Sequence, residues 1–209
     1  MICIVFMIAL GSLGVSYAKW STVLYMNGTM VTATTSVTET FNPSQDSYID
    51  SATATTNYGT LTYLLDSRSG SAYPQRALVY FNLTTLSGKY IDSATLRLYA
   101  NSANKTVDLN SYHITNSWTQ GGVTWNSRNG TNDWTTPGGD YTTPAVISTS
   151  VGTAGGWVEW NVTNDVITFA NGTITNYGWL LRMNTGMGLI TFSSKEGANL
   201  PQLVVTYHQ

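Results

Sequence analysis

Charge is what this sequence has least of. It carries nine cations and eleven anions in 209 residues, 10 % of the chain, where a typical globular protein has about a quarter. No basic face for a nucleic acid can be assembled from that supply. A net charge of −2 also leaves little field to steer any partner. Cysteine is nearly absent: only Cys3, inside an N-terminal apolar run. The rest of the chain therefore holds neither a disulfide nor a cysteine-ligated zinc. Histidine is as scarce, His113 and His208 alone, without metal-ligand spacing. His113, between Tyr112 and Ile114, reads as a structural imidazole. There is no G-x-S-x-G motif, so a Ser–His–Asp hydrolase has no positive sign. The chain is not expected to be an enzyme. Ala, Glu, Lys and Leu are too few for a coiled coil.

What fills the chain instead is Thr (33), Ser (20) and Asn (17), with 13 Tyr and 7 Trp. Thr, Val, Tyr and Trp suit a pleated sheet. Short strands separated by turn residues are predicted at 61–65, 77–82, 94–100, 107–114, 145–151, 157–162, 178–183, 189–193 and 203–207. Ala94, Leu96, Leu98 and Ala100 alternate with Thr95, Arg97 and Tyr99, a period of two. One short helix is predicted after Thr163, which can cap it; Val166, Phe169 and Ala170 give helical spacing and Gly172 ends it. The longest loop runs over 120–144. The expectation is an all-β protein, a two-sheet sandwich or jelly roll of about nine strands.

Residues 1–18, MICIVFMIALGSLGVSYA, read as a signal peptide cleaved before Lys19, although no Lys or Arg precedes the apolar run. The alternative is a retained apolar arm. Contact with the membrane is then expected only in transit, and the mature protein is expected at the cell surface. Residues 19–45 read as an N-terminal β-arm, with Asn27-Gly28 as a hairpin turn. Its apolar stripe, Val31, Ala33, Val37 and Phe41, needs cover. Residues 46–209 form the sandwich.

The sandwich resembles a known family. Asp46-Ser-Tyr-Ile49, Asn57-Tyr-Gly59, Arg76-Ala-Leu-Val-Tyr-Phe-Asn-Leu83, Ser93-Ala-Thr-Leu-Arg-Leu-Tyr99, Ile114-Thr-Asn-Ser-Trp118, Val123-Thr-Trp-Asn-Ser-Arg128, Trp157-Val-Glu-Trp-Asn-Val-Thr163, Phe192-Ser-Ser-Lys-Glu196 and Pro201-Gln-Leu-Val-Val-Thr-Tyr207 together are similar to DNRLRE domains. The resemblance implies a secreted β-sandwich module of bacterial and archaeal surface proteins. Some relatives are grouped with carbohydrate-binding modules, others with archaeal disaggregatase-type repeats. The leader and arm resemble those of fibre-forming secreted proteins.

Two functions follow. The first is a structural subunit of an extracellular, pilus-like filament. Val31, Ala33, Val37 and Phe41 would be donated head to tail to the next subunit, making a homopolymer. The same arm can instead pair within its own domain. The second is a carbohydrate-binding module for a polysaccharide. Trp118, Trp125, Trp157 and Trp160 fall at positions where the resemblance implies core. Trp134, in the long loop, is then the exposed candidate for a sugar platform, against a packing or subunit-contact role. Glu159 and the Lys195-Glu196 pair are not read as catalytic. Asp46, Asp50 and Asp66 are candidate Ca²⁺ ligands, against the plainer reading as turn caps. Asn27, Asn82, Asn104, Asn129, Asn161 and Asn171 open N-glycosylation sequons. Lys19, Lys89, Lys105 and Lys195 are the only lysines an isopeptide bond could use.

Overall fold

The computed structural model describes residues 35–69 and 72–209. The leader, the predicted 27–28 turn, Cys3, Val31 and Ala33 lie outside the described residues. Eleven strands follow in chain order: β1 (Val37–Phe41), β2 (Gln45–Asp50), β3 (Tyr63–Ser69), β4 (Ala72–Tyr80), β5 (Tyr90–Ala103), β6 (Val107–His113), β7 (Ile147–Val151), β8 (Gly156–Asn161), β9 (Trp179–Met183), β10 (Gly188–Ser193) and β11 (Gln202–His208). One helix, α1 (Thr163–Ala170), joins β8 to β9. All pairings are antiparallel. The order is β1-β11-β5-β10-β3-β4-β9-β6-β7, with β2 added to β4 and β8 added to β5. The all-β sandwich architecture is thus as expected.

Alternation along the strands builds two cores. From β4, Ala77 and Val79 enter the main core, and from β9 Trp179, Leu181 and Met183 join them. There they meet Leu96, Leu98, Trp160, Phe192, Leu203 and Val205 from β5, β8, β10 and β11. The intervening residues, Leu78 of β4 and Leu180 of β9, point to the opposite face. A second core of Ile49, Tyr112, Ile114, Trp118, Val123 and Trp134 covers them. The loop after β6 supplies Trp118, Val123 and Trp134, so it is a packed layer over the sheet.

Strand ends move where polar residues hide a ladder. β3 extends to Ser69 because Asp66-Ser-Arg pairs along β10, Ile190 opposite Asp66 and Gly188 opposite Arg68, and Ser69 pairs with Ala72 of β4. β2, absent from the predicted strands, pairs along β4 from Gln45–Tyr80 to Asp50–Gln75. β1 pairs with β11 of the same chain, Val37 opposite Tyr207 and Phe41 opposite Leu203. Phe41 packs against the main core while Val37 stays exposed. This part of the arm forms an edge strand of its own domain.

The helix begins differently from expectation. Val162 stands at the cap, and Asn161 Oδ1 accepts from the Thr163 N–H at 3.1 Å and from its hydroxyl at 2.8 Å. The Thr163 hydroxyl oxygen accepts from the Ala94 N–H at 2.9 Å. It therefore ties the helix to β5, which a free cap would not do. At the other end Gly172, at φ +74°, follows Asn171 as expected. Asp165 in the first turn is buried and accepts from Trp179 Nε1 at 2.6 Å, with His113 Nε2 at 2.8 Å.

Gln120 fastens the start of the long loop. Its N–H donates to Gln45 Oε1 (2.8 Å), its side-chain amide donates to Glu196 Oε1 (2.7 Å) and to Gly59 O, and Asn57 Nδ2 donates to its carbonyl (2.7 Å). Beside it Asp46 is buried, and its Oδ2 accepts from the Lys195 N–H at 2.6 Å. Burial, with the nearby Glu196 adding and the Lys195 N–H opposing, pushes the Asp46 carboxyl from 3.8 up to about 7. In that interval the folded chain holds a proton that the unfolded chain has released. Asp46 therefore lowers stability progressively as pH rises from about 4 to about 7, by at most about 4 kcal/mol. Thermal melts at pH 5 and pH 8 should show a smaller drop for Asp46→Asn than for the wild type. An unchanged drop would count against a buried, proton-holding Asp46.

Candidate functional site

The β4–β9 register sets Ala77 opposite Leu181. One rung further, Arg76 and Arg182 stand side by side on neighbouring strands. Like charges so placed repel, and aromatic faces offset the cost. The Arg76 guanidinium lies 4.6 Å from the Trp125 ring centre and 5.6 Å from that of Tyr141. That of Arg182 lies 5.4 Å from Tyr141 and 5.8 Å from Tyr112. Arg76 Nη1 also donates to Gly138 O, and Arg182 Nη1 donates to the Tyr141 hydroxyl. The long loop thus holds both guanidinium groups in place. Gly138, at φ +96°, makes this possible: a Cβ there would come within 2.6 Å of Arg76 Nη1 and 2.7 Å of Trp125.

Arg68 completes the set from β3. Arg68, Arg76 and Arg182 line a cleft of about 120 Å³ with Ser67, Pro74, Gln75 and Met183. Arg68 Nη1 donates to Gly186 O at 2.8 Å. Gly186 borders a shallower depression of about 480 Å³ that also contains Lys105, Asp108, Thr185 and Met187. Tyr73, next to Pro74, is 67 % exposed. Three of the five arginines in the sequence therefore face one opening. The Nε atoms of Arg76 and Arg182 are buried without a protein partner.

The acid that interacts with both Arg76 and Arg182 does not cancel them. Asp66 is fully buried. The Ala77 and Met183 N–H groups face it without closing hydrogen-bond geometry to either oxygen. Burial pushes its carboxyl well above the ordinary range, against the pull of those groups and of Arg76 and Arg182. It moves toward the neutral acid, and the cleft keeps its positive charge. Burial, then Arg182, lowers the Arg76 pKa; a guanidinium stays charged nonetheless.

The residues singled out from the sequence lie elsewhere. Trp134 is buried, 4 % exposed, and its Nε1 donates to Thr124 O at 3.0 Å. It is a wedge beneath the loop, and the exposed sugar platform expected of it is corrected. Loop position did not mean exposure because the loop itself packs on Leu78 and Leu180. Trp118 and Trp160 are core and Trp125 is half-buried, but Trp157 is 39 % exposed on β8, a second correction. The three candidate Ca²⁺ ligands are not gathered: no group of three His, Cys, Asp or Glu fit for a metal occurs among the described residues. Asp50 caps a 3₁₀ turn through the Ala52 N–H at 2.8 Å and accepts from Gln75 Nε2 at 2.8 Å. Asp46 serves Lys195, and Asp66 lies at the base of the arginines.

His113 packs on Asp165 and Phe169. His208 stacks on Tyr90 and contacts Asp92. Glu196 pairs with Lys195 at 3.3 Å. Of the sequons, Asn82, Asn104, Asn161 and Asn171 are exposed and Asn129 is half-buried; Asn27 lies outside the described residues. Sequence reasoning missed Arg76 and Arg182. The available signal was a charged residue within an apolar strand, as in Leu180-Leu-Arg-Met183, in a chain that spends few charges.

Trp134→Ala should lower stability by about 3–5 kcal/mol, the usual cost of emptying a buried tryptophan site. Denaturant melts measure it, and a loss below about 1 kcal/mol would contradict its role as a wedge.

The family model for carbohydrate-binding module family 96 matches residues 37–207, from the first residue of β1 to Tyr207 in β11. No match to the chain is found among curated proteins.

Proposed function

The chain belongs to carbohydrate-binding module family 96, and from that premise we propose that it binds an acidic polysaccharide in the arginine cleft of β3, β4 and β9. The observation that carries the reading is the convergence of Arg68, Arg76 and Arg182 on one opening, with the neighbouring Asp66 buried and driven toward neutrality. Guanidinium groups bind carboxylates through paired, charge-assisted hydrogen bonds. Tyr141, Trp125 and Gly138 hold the arginines before a ligand arrives, which reduces the entropy lost on binding. Beyond Gly186, Lys105 shares its depression with Asp108, so the excess positive charge belongs to the cleft.

The protein acts by binding, without cleaving the sugar. An extracellular setting is where such polysaccharides are met. The filament reading has less behind it. Of its four donor residues, Val37 and Phe41 sit on a strand paired within its own sheet.

Affinity electrophoresis tests the proposal, with polygalacturonate and a mannuronate–guluronate copolymer against neutral dextran. Both uronates should retard the protein, and about 0.5 M NaCl should abolish the effect. Arg182→Ala should weaken uronate binding at least tenfold and Arg68→Ala somewhat less, with melts confirming the fold. Equal mobility in uronate and dextran, or unchanged binding by both variants, would overturn it.

A further inference from the structure

A second surface lies on other strands and has different chemistry. β8 pairs with β5 so that Trp157 is opposite Tyr99 and Glu159 opposite Arg97. On the far side of β5, β11 sets Gln202 opposite Arg97. Strand alternation sends Leu96, Leu98 and Trp160 into the core. The same alternation turns Trp157, Tyr99, Arg97, Glu159 and Gln202 outward.

Trp157 is 39 % exposed, and it is fixed before any ligand arrives. Its ring meets Tyr99 edge to face, centroids 5.5 Å apart at 84°. The Arg97 guanidinium lies 4.7 Å from the indole centre. Arg97 is held in turn by Gln202, whose Oε1 accepts from Nε at 2.8 Å and also from Nη2. Three side chains on two strands thus clamp one indole, Gln202 acting through Arg97.

The charge on this strip is balanced. Arg97 and Glu159 face each other across one rung, so the strip lacks the excess positive charge of the arginine cleft. Along the strip the outward positions include Thr95, Asn161 and Gln202, hydrogen-bonding groups, with the half-buried Val204 opposite Thr95 as an apolar neighbour at the end away from the indole. A protein interface needs on the order of 1,000 Å² with an apolar centre. One open aromatic ring with amides and hydroxyls beside it matches a sugar ring, which has an apolar C–H face and a rim of hydroxyls.

We propose that the Trp157–Tyr99–Arg97 strip is a second glycan-binding site, taking a neutral pyranose stacked on the Trp157 ring. It rests on the family membership and not on the arginine cleft. The two sites would let one module touch acidic and neutral stretches of a mixed polysaccharide.

The test is titration calorimetry of the full chain with cellohexaose, xylohexaose and mannohexaose at low and at 0.5 M NaCl. At least one should bind, with affinity unchanged by salt. Trp157→Ala should weaken it at least tenfold, Tyr99→Ala several-fold, and Arg182→Ala not at all. Trp157→Phe, which keeps a ring and puts no strain on the fold, should retain part of the affinity. Absence of binding by all three hexasaccharides, or full binding by both Trp157→Ala and Tyr99→Ala, overturns the proposal. So does loss of neutral-sugar binding in Arg182→Ala, which would place the neutral chain in the cleft. Failure of uronate binding alone would leave these outcomes unaffected, so the two readings fail separately.

Discussion

β4 and β9 are buried on both faces, and the rest of the structure depends on that. A strand with Ala77 and Val79 on one side and Leu78 on the other cannot leave either side to water. The sandwich covers the first face, and among the described residues the segment after β6 supplies most of the cover of the second. That segment is therefore built as a layer, with Trp118, Val123 and Trp134 as its apolar contacts and Gln120 as its anchor. Its glycines serve close approach: at Gly139 a Cβ would come within 2.7 Å of Leu180. Where the cover thins, beside Gly138, the outward residues of β4 and β9 become Arg76 and Arg182. The arginine cleft is thus the margin of a buried layer, which is why Arg76 and Arg182 are half-buried and held by the loop.

That location explains the electrostatics. Placing two guanidinium groups next to each other costs energy in a chain with few charges, and a buried ion pair would be the ordinary remedy. Asp66 is near enough to serve, yet it sits inside, without hydrogen-bond closure, and burial drives it toward neutrality. Aromatic faces take over the balancing role without neutralising anything. Trp125, Tyr141 and Tyr112 keep the cations compatible with one another and leave their charge available. A carboxylate in place of those rings would stabilise the arginines equally well and disable them.

The strands were legible because period-two alternation is a local property. Ala94 to Ala100 reads correctly for that reason, whereas β9, Trp-Leu-Leu-Arg-Met, reads as a short apolar run because it is buried on both faces. β2 and the end of β3 were not legible, since Gln45-Asp-Ser and Asp66-Ser-Arg-Ser carry their pairing in the backbone and offer no apolar alternation. The tryptophans show a different limit. Alternation says that Trp157 and Trp160 face opposite sides but not which side is core, and a loop position says nothing about what the loop packs on. Trp134 and Trp157 accordingly exchanged the roles expected of them. The arginine cleft needed the β4–β9 register, a contact between residues about a hundred positions apart.

The scarcity of charge takes on a more specific sense against these two surfaces. A chain with nine cations gains little from long-range steering, so its recognition has to be local. Three of its five arginines line one cleft, so what positive field the chain has is concentrated there. On the Trp157 strip the opposite holds, since Arg97 is matched by Glu159 and what remains is a ring with uncharged hydrogen-bonding groups. Thr, Ser and Asn cover the rest of the surface with groups that bind water and sugar hydroxyls alike. Specificity in such a protein comes from where the few charges and rings are held rigid, and both places are set by strand register.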